Sequence, residues 1–264
     1  MSFVVYTAIA GDYDYPRKIP ESMRCVDFIC YCNSQATKRL AEKNGWIVRP
    51  IPIVSDDPTR VCRDLKVRPY IYLPEYSASL WVDGTVQITN VAASELVNVL
   101  ASKTLVATFK HPHSKSVHEE AHECKAAGKD DNNRIDDTLE YLSSQGFPEL
   151  QPTYETCVMF RFHNEEPVKR AMDTWHEMIT NYSRRDQLSL GYSLWKNDLT
   201  SSFLIGDIRG ASHSFYRGRH RGKGSQDYLS YIDAYSFDNR FVRFHKKILS
   251  ILSNIRSKLV KVKI

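Results

Sequence analysis

The sequence predicts an α/β protein built on an open, mostly parallel sheet flanked by helices. Over roughly the first 90 residues, short apolar runs alternate with amphipathic runs, as strands joined by crossover helices do. One of these apolar runs ends on a carboxylate, Asp83, which is followed by Gly84. The chain has 264 residues, enough for a substantial core, and its composition of 42% hydrophobic and 25% charged residues is that of an ordinary globular protein.

The N-terminal half of the chain alternates strands and helices. Asp57 and Pro58 begin a helix that continues to Lys66, because an acid and a proline suit its first turn and basic residues suit its last. The apolar strand that ends at Asp83 resumes as an alternating strand over residues 85–88. The predicted strands before it are residues 3–9, 26–31 and 46–54, and the predicted helices are residues 34–44, 58–66 and 94–101.

The C-terminal half is richer in helices. No repeat or linker interrupts the sequence, so we expect one α/β domain over residues 1–212 with a basic loop and helix, residues 213–264, docked on it. We predict strands over 105–110 and 158–162, helices over 116–127, 132–143, 167–182 and 184–194, a Gly- and Arg-rich loop over 206–224, and an amphipathic helix within 240–264.

The start of the chain and its cysteines both indicate a cytoplasmic protein. The apolar residues 3–10 have no basic segment before them, which predicts a first core strand and not a signal peptide. The six cysteines form no C-x-x-C pair, as expected of small buried side chains in a reducing compartment. The sequence contains no run of 18 apolar residues, so it predicts no membrane-spanning helix.

The charge of the chain is unevenly distributed. Residues 213–264 carry twelve Lys/Arg against three Asp, whereas the remaining residues carry 24 basic and 28 acidic side chains. Basic surfaces attract phosphates, nucleic acid or anionic membranes. Since no nucleic-acid-binding module accompanies this region, nucleic acid is not the partner we expect. The helix within 240–264 is predicted to dock on the domain or, undocked, to contact a membrane peripherally.

Asp83 has two interpretations at the level of the sequence. An Asp before a Gly is an ordinary turn dipeptide. An acid at the carboxyl end of a buried strand is also costly unless a cation meets it, and ligands of α/β proteins bind at that edge of the sheet. The second interpretation makes Asp83 a contact for a metal ion or a nucleotide.

A zinc-protease pattern, H-E-x-x-H, occurs at His118, Glu119 and His122. On a helix the two histidines share one face and the glutamate serves as general base. No characteristic spacing to a third ligand follows, and a pattern this short arises by chance. A zinc hydrolase is therefore kept as an alternative function.

An ordered series of short motifs spans most of the chain, from about Tyr6 to Leu190. The series comprises Tyr6-Thr7-Ala8-Ile9 with Gly11 and Asp14, Gly45-Trp46, Asp57-Pro58, Arg63 with Lys66 and Pro69, Leu80-Trp81-Val82-Asp83-Gly84, His111-Pro112, Glu120-Ala121, Tyr141 with Gly146-Phe147-Pro148, Arg161 with His163-Asn164, Trp175, and Arg185-Asp186-Gln187. In this order the set resembles the glycosyltransferase-like domain family of plant and bacterial proteins.

The resemblance implies a GT-A-type nucleotide-sugar transferase. Such enzymes end a strand with an Asp-x-Asp motif that holds a divalent cation, Mn²⁺ or Mg²⁺, against the diphosphate, whose leaving charge must be neutralised. This chain keeps Asp83 but has Thr85 in place of the second Asp. Either the second ligand comes from elsewhere in the chain or cationic side chains replace the ion.

The resemblance also implies which residues form the site. Three of its members have plain alternatives: Arg63 and Lys66, one helical turn apart, equally fit a solvated helix face, and Asp186 also fits an acid at a helix start. The implied donor-binding residues are Tyr6, Thr7, Arg63, Lys66, Asp83, Gly84, Arg161 and His111, the implied catalytic residues are Asp186, Gln187 and Glu120, and the implied metal ligands are Asp83 and His220.

The function expected from the resemblance is transfer of a hexose from a nucleotide-diphosphate sugar, a UDP-sugar, to a hydroxyl of a glycan, lipid or protein. The alternatives are the zinc hydrolase and a non-catalytic protein that binds an anionic polymer or a membrane through its basic C-terminal region.

Overall fold

The computed structural model describes residues 2–102, 104–208, 212–218 and 220. All of the described residues belong to one compact unit that ends at His220. The predicted helix within 240–264 lies outside the described residues, as do residues 209–211, 219 and 221–224 of the loop predicted over 206–224. Membrane contact through this region and the domain boundary after residue 212 therefore stay predictions.

The described strands form one seven-stranded sheet and one two-stranded sheet. The large sheet has the order β3-β2-β1-β4-β7-β6-β8, in which β3, β2, β1 and β4 run parallel and β7 runs antiparallel to both of its neighbours. The small sheet pairs β5 with β9. The strands are β1 (Phe3–Ile9), β2 (Asp27–Cys32), β3 (Ile47–Pro50), β4 (Ala78–Val82), β5 (Val86–Ile88), β6 (Val106–Lys110), β7 (Tyr154–Arg161), β8 (Ser202–Phe203) and β9 (Phe215–Arg217).

Helices flank the sheet, which confirms the predicted α/β class. Helix α2 begins as predicted: Asp57 accepts hydrogen bonds from the backbone N–H of Thr59 and Arg60, and Pro58 occupies the first position. The helices are α1 (Gln35–Lys43), α2 (Pro58–Val67), α3 (Pro69–Tyr72), α4 (Ala92–Ala101), α5 (Val117–Ala126), α6 (Asn132–Ser144), α7 (Glu166–Asn181) and α8 (Leu190–Lys196), with 3₁₀ turns at Glu21–Met23 and Asp186–Leu188.

The core lies on both faces of the large sheet, because alternate residues of a strand face opposite sides. On one face Leu80 of β4 belongs to the same apolar cluster as Phe160 of β7. On the other face Trp81 of β4 belongs to a cluster with Met159 of β7 and Trp175 of α7. The central strands are thus buried on both sides, as parallel strands between helical layers are.

The order of the strands reverses between β1 and β4. From β1 the chain adds β2 and β3 on one side, and it then returns to place β4 on the other side of β1. At such a reversal, the loops after the two central strands diverge and leave a crevice at the carboxyl edge. The loop after β1 and residues 83–85 after β4 border this position.

Two predicted strands have different bounds in the structure. The third strand, predicted over 46–54, ends at Pro50; it is the edge strand of the sheet, and Val54 beyond it is fully exposed. The strand predicted from residue 158 begins at Tyr154. Its first part was missed because Glu155 and Thr156 are polar, yet both are buried.

The helix predicted over 184–194 is wrong. Residues Asp186–Leu188 form a 3₁₀ turn, and α8 begins only at Leu190. The segment is fixed from outside: Ser183 donates a hydrogen bond to Asp130, and Trp175 donates to the backbone carbonyl of Asp186. These side-chain bonds replace the bonds that a continuous helix would make.

The loop predicted over 206–224 contains a strand. Its residues Phe215–Arg217 form β9, which pairs antiparallel with β5 directly after the Asp83 turn. The Gly and Arg content of this stretch concealed the strand. Among the described residues, no helix has the length and apolarity that crossing a bilayer requires.

Candidate active site

Five side chains meet at the carboxyl edge of the parallel strands, beside the reversal of strand order. We call Arg63, Lys66, Asp83, Thr156 and Asp186 the ion cluster. Asp83 directly follows β4, and Arg63 and Lys66 lie one turn apart on α2. Thr156 comes from the start of β7 and Asp186 from the 3₁₀ turn. Four separate parts of the chain thus contribute to one cluster.

Lys66 is the centre of the ion cluster. Its Nζ lies 2.6 Å from Asp186 Oδ2, 3.5 Å from Asp83 Oδ1 and 3.1 Å from Thr156 Oγ1. Thr156 Oγ1 also donates to Asp186 Oδ2 over 2.7 Å. Lys66 is fully buried, so its charge depends on these partners.

Arg63 adds a second cation to the cluster. Its Nη2 lies 3.3 Å from Asp186 Oδ1, and its Nη1 lies 4.0 Å from Asp83 Oδ1. The predicted shared face of Arg63 and Lys66 is therefore present, and it points at two carboxylates instead of at solvent. The side chain of Arg63 is 15% exposed and that of Asp83 is 29% exposed, so the cluster opens to solvent at these two residues.

The two carboxylates of the ion cluster are held in the charged form. Burial opposes the ionisation of Asp186, yet Arg63 and Lys66 outweigh it and hold its pKa well below the usual range. Burial likewise opposes the ionisation of Asp83, and Lys66, then Arg63, lower its pKa below the usual value. Both groups are thus anions at neutral pH.

The side chain of Asp186 is enclosed. It is 1% exposed, its Oδ2 accepts from Lys66 and Thr156, and its Oδ1 faces Arg63. A carboxylate with a strongly lowered pKa is a weak base. These contacts favour a role in which Asp186 holds the two cations in place, while its predicted catalytic role stays a prediction.

Tyr6 and Arg161 lie behind the ion cluster, inside the core. Both are fully buried, Arg161 Nη2 donates to Tyr6 Oη over 2.5 Å and to the carbonyl of Lys66 over 2.7 Å, and Tyr6 Oη donates to the same carbonyl over 2.8 Å. A cation at a helix C-terminus satisfies its last carbonyls. Arg161 therefore fixes the end of α2 and, through it, the position of Lys66.

Thr7 lies inside the sheet, whereas Gly84 lies in the loop at its carboxyl edge. Thr7 is 1% exposed within β1, and its hydroxyl has no hydrogen-bond partner among the described residues. At Gly84, an added Cβ would lie 2.9 Å from the Cβ of Asp14 and 3.3 Å from the side chain of Ile9. Gly84 is therefore required by the close approach of the loops after β1 and β4. For both residues, donor binding stays a prediction.

His220 lies against the loop after β1. Its Nδ1 is 3.1 Å from both carboxylate oxygens of Asp14, and its ring centre is 5.0 Å from that of Tyr13. Asp14 is also the residue that approaches Gly84. Of the two predicted metal ligands, His220 thus contacts Asp14, whereas Asp83 contacts Lys66 and Arg63. Within the described residues no three His, Cys, Asp or Glu side chains form a metal-binding group.

A second polar group, which we call the histidine cluster, comprises His111, Ser114, Glu120 and Glu155. His111 Nε2 lies 3.3 Å from Glu120 Oε2 and 3.7 Å from Glu155 Oε2. His111 Nδ1 accepts the backbone N–H of Ser114 over 2.8 Å, so the neutral ring carries its proton on Nε2 and donates toward the carboxylates. All four residues are buried.

Residues Arg185 and Gln187 flank Asp186. Arg185 Nη2 donates to Gln187 Oε1 over 2.8 Å, and Gln187 Nε2 donates to the carbonyl of Tyr154 over 3.3 Å. Although burial opposes it, the pKa of Arg185 is raised by Asp186, Cys124 and Glu120. The carboxylates that act on Arg185 come from both clusters, and the chain neighbours Glu155 and Thr156 belong one to each, which places the two clusters side by side.

The zinc-like pattern lies on the outer side of α5. His118, Glu119 and His122 are all exposed. Glu119 accepts the backbone N–H of Lys115, and its own N–H donates to Ser116, which is the arrangement of a helix cap. Capping therefore accounts for Glu119, and the described residues bring no third metal ligand to the pair of histidines.

Comparison with known proteins decides the family. The model of the family described as TOD1/MUCI70, glycosyltransferase-like domain, matches residues 1–206. The chain belongs to the TOD1/MUCI70 glycosyltransferase-like domain family. This result confirms the resemblance inferred from the ordered motifs, and it makes the protein a glycosyltransferase-like family member.

Solved structures of two glycosyltransferases are similar to this TOD1/MUCI70 family member. The apo structure of the bifunctional glycosyltransferase WbbM matches with 11% identity and a TM-score of 0.46, over 77% of this chain and 38% of the WbbM chain. The apo structure of mouse xyloside xylosyltransferase 1 matches with 9% identity and a TM-score of 0.48, over 83% of this chain and 98% of that one. No curated protein matches the chain.

Sequence reasoning missed residues within the two clusters and others beside them. Thr156 and Glu155 were missed because their polar segment was not assigned to a strand. Asp14 was part of a motif but received no role, and Arg185 was treated only as a neighbour of Asp186. Each has a local signal in the sequence: Glu155 and Thr156 precede an apolar run, Asp14 lies in the loop after an apolar strand, and Arg185 adjoins a predicted site acid.

Proposed function

We propose that this protein is a glycosyltransferase that moves a hexose from a nucleotide-diphosphate sugar, a UDP-sugar, to a hydroxyl acceptor on a glycan, lipid or protein. The observation that carries the proposal is the ion cluster: two cations held beside a partly exposed carboxylate, at the strand-order reversal where α/β proteins bind ligands. Membership of a glycosyltransferase-like family supports it.

The proposed reaction requires charge neutralisation. The acceptor oxygen bonds to the anomeric carbon, the bond from that carbon to the diphosphate breaks, and its electron pair leaves with the diphosphate. Arg63 and Lys66 are the groups suited to the negative charge that develops there. Asp83, the more exposed carboxylate, is suited to accept hydrogen bonds from the donor.

The acceptor proton needs a base, and we assign this role to the carboxylates of the histidine cluster. Glu120 is the residue expected from the family resemblance, and Glu155 shares its contact with His111. The link through Arg185 supports a location beside the donor. In this proposal Asp186 positions Arg63 and Lys66, and Gln187 positions the start of β7 through the carbonyl of Tyr154.

The test is a transfer assay with a panel of sugar nucleotides, in which release of the nucleoside diphosphate is measured. We expect one donor to be turned over, and Asp83→Asn to abolish turnover while the far-UV circular dichroism and melting temperature are kept. The matched control is Asp136→Asn, which removes an exposed carboxylate on α6 that pairs with Lys125. Full activity of Asp83→Asn would contradict the proposal.

Two other functions are outcomes of the same experiment. Selective nucleotide binding without turnover of any acceptor would favour a non-catalytic binding protein. Stoichiometric zinc in the purified protein, lost on His118→Ala, would favour a hydrolase. A cytoplasmic location stays a prediction.

A further inference from the structure

The segment after β4 does not supply the second acid of an Asp-x-Asp motif. Thr85 stands in that position and is 2% exposed, and its carbonyl accepts the backbone N–H of Gly218 over 2.8 Å. The strand pair of β5 and β9 begins directly beyond it. A divalent cation prefers carboxylate ligands, and at this position it would meet an enclosed hydroxyl-bearing residue.

The two carboxylates of the ion cluster already have cationic partners, Asp83 through its Oδ1 and Asp186 through both of its oxygens. Asp83 Oδ1 accepts from Trp81 Nε1 over 2.7 Å and lies 3.5 Å from Lys66 Nζ. Both oxygens of Asp186 face Lys66 or Arg63. An ion on Asp83 would therefore lie within a few ångströms of the Lys66 ammonium and be repelled by it.

The ion cluster pairs two cations with two carboxylates, and Arg185 beside it adds a third cation, which also acts on Glu120. Among the described residues, Arg63, Lys66 and Arg185 act on two carboxylates, Asp83 and Asp186. The Nε atoms of Arg63 and Arg185 are buried and have no hydrogen-bond partner among the residues that the structure describes. A phosphate oxygen is the kind of acceptor that a guanidinium N–H binds well.

We propose that Arg63 and Lys66 neutralise the diphosphate of the donor in place of a divalent cation, so that donor binding does not require a metal ion on Asp83. This inference rests on the proposed function, because it concerns the same site. The competing arrangement is a metal ion held by Asp14 and His220, which lie together beside Gly84 and are ligands of the appropriate types.

The test is isothermal titration of the full-length protein with inorganic pyrophosphate and with UDP, each in EDTA and in Mn²⁺. We expect the dissociation constants in the two buffers to agree within about threefold and Mn²⁺ alone to give no saturable binding. Arg63→Gln should weaken pyrophosphate binding in EDTA about 10- to 100-fold, because it removes a charge-assisted donor. The matched control is Arg68→Gln, which removes a cation just beyond the end of α2 that pairs with Asp64. It should change the affinity for pyrophosphate less than twofold.

Asp83→Asn separates the two arrangements. If cations neutralise the diphosphate, removal of a neighbouring negative charge leaves pyrophosphate binding in EDTA unchanged or tighter. If a metal ion does so, Asp83→Asn or His220→Ala weakens binding in Mn²⁺, and EDTA abolishes it in the unaltered protein.

The failures of the two proposals are distinguishable. Binding of UDP only in the presence of Mn²⁺ overturns the inference and leaves the glycosyltransferase proposal standing. Absence of pyrophosphate and UDP binding in both buffers overturns both. Metal-independent binding that Arg63→Gln and Arg68→Gln weaken equally overturns the assignment to Arg63.

Discussion

The ion cluster and the histidine cluster each contain one residue from the start of β7. Thr156 joins the ion cluster and its neighbour Glu155 joins the histidine cluster, because successive residues of a strand face opposite sides. The ion cluster pairs full charges and is partly exposed at Asp83. The histidine cluster is buried throughout and is organised by the His111 ring, whose Nδ1 accepts the backbone N–H of Ser114.

The two clusters are suited to different chemical tasks. Fixed cations beside a solvent-accessible carboxylate can meet an anionic ligand without reorganisation, which is the electrostatic requirement of a diphosphate site. A ring that donates from Nε2 to two carboxylates can hold one of them in position while a proton moves. The following three experiments test this division, in order of expected effect.

The largest effect is expected from Lys66→Met. The substitution leaves Asp186 charged and enclosed without its closest partner, and removal of one member of a buried pair costs about 3–5 kcal/mol. The measurement is the free energy of unfolding in urea. The double variant Lys66→Met with Asp186→Leu should recover most of this loss, since an apolar pair replaces the ionic one.

The control for this experiment is Arg68→Met. Arg68 lies one residue beyond the end of α2, and the substitution breaks its partly exposed pair with Asp64. We expect it to cost less than about 1 kcal/mol. A double variant as unstable as Lys66→Met alone would show that the ion cluster stabilises the fold through contacts other than the Lys66–Asp186 pair.

A smaller effect is expected from Glu155→Gln, which tests the histidine cluster. The amide removes the charge that faces Arg217 over 3.3 Å and places a donor group near His111 Nε2. We therefore expect the free energy of unfolding, measured in urea, to fall by about 2 kcal/mol. Transfer activity should fall more than tenfold, whereas pyrophosphate affinity should stay within about twofold. A parallel loss of pyrophosphate affinity would show that the two clusters act as one.

The smallest effect is expected from pH. The folded-state pKa values of Asp83 and Asp186 are lowered, so their contribution to stability is complete above the unfolded value of about 4 and is lost as the pH falls toward the folded values. Between pH 6 and pH 3 we expect about 1 kcal/mol of this contribution to disappear. Urea unfolding across this range should show a shallower slope for the Lys66→Met, Asp186→Leu double variant than for the unaltered chain.

The sequence predicted the parallel half of the sheet and one side of the site. Helix α2 was predictable because Asp57 and Pro58 mark its start, and Asp83 was predictable because an apolar strand ends there. Arg63 and Lys66 followed from helical spacing combined with the family resemblance. Each of these signals is local, since it depends on residues within a turn or a strand.

The remaining features depend on contacts that are distant in sequence. The pairing of Lys66 with Asp186 joins residues 120 positions apart, and the 3₁₀ turn at Asp186 is held by Trp175 and by bonds of Ser183 to Asp130. Glu155 and Thr156 are polar residues in a buried strand, which no hydrophobic periodicity reveals. The depth of Arg161 inside the core was hidden for the same reason.

The position of β7 has a consequence for synthesis of the chain. Strand β7 lies between β4 and β6 and is antiparallel to both, so the middle of the sheet closes only after residue 161 has been made. Until then, the fully buried strand Ala78–Val82 has an unpaired edge. An apolar edge strand is a template for association between chains. A nascent or truncated chain that ends before β7 is therefore prone to aggregate, and pairing of β7 removes this risk as it assembles the site.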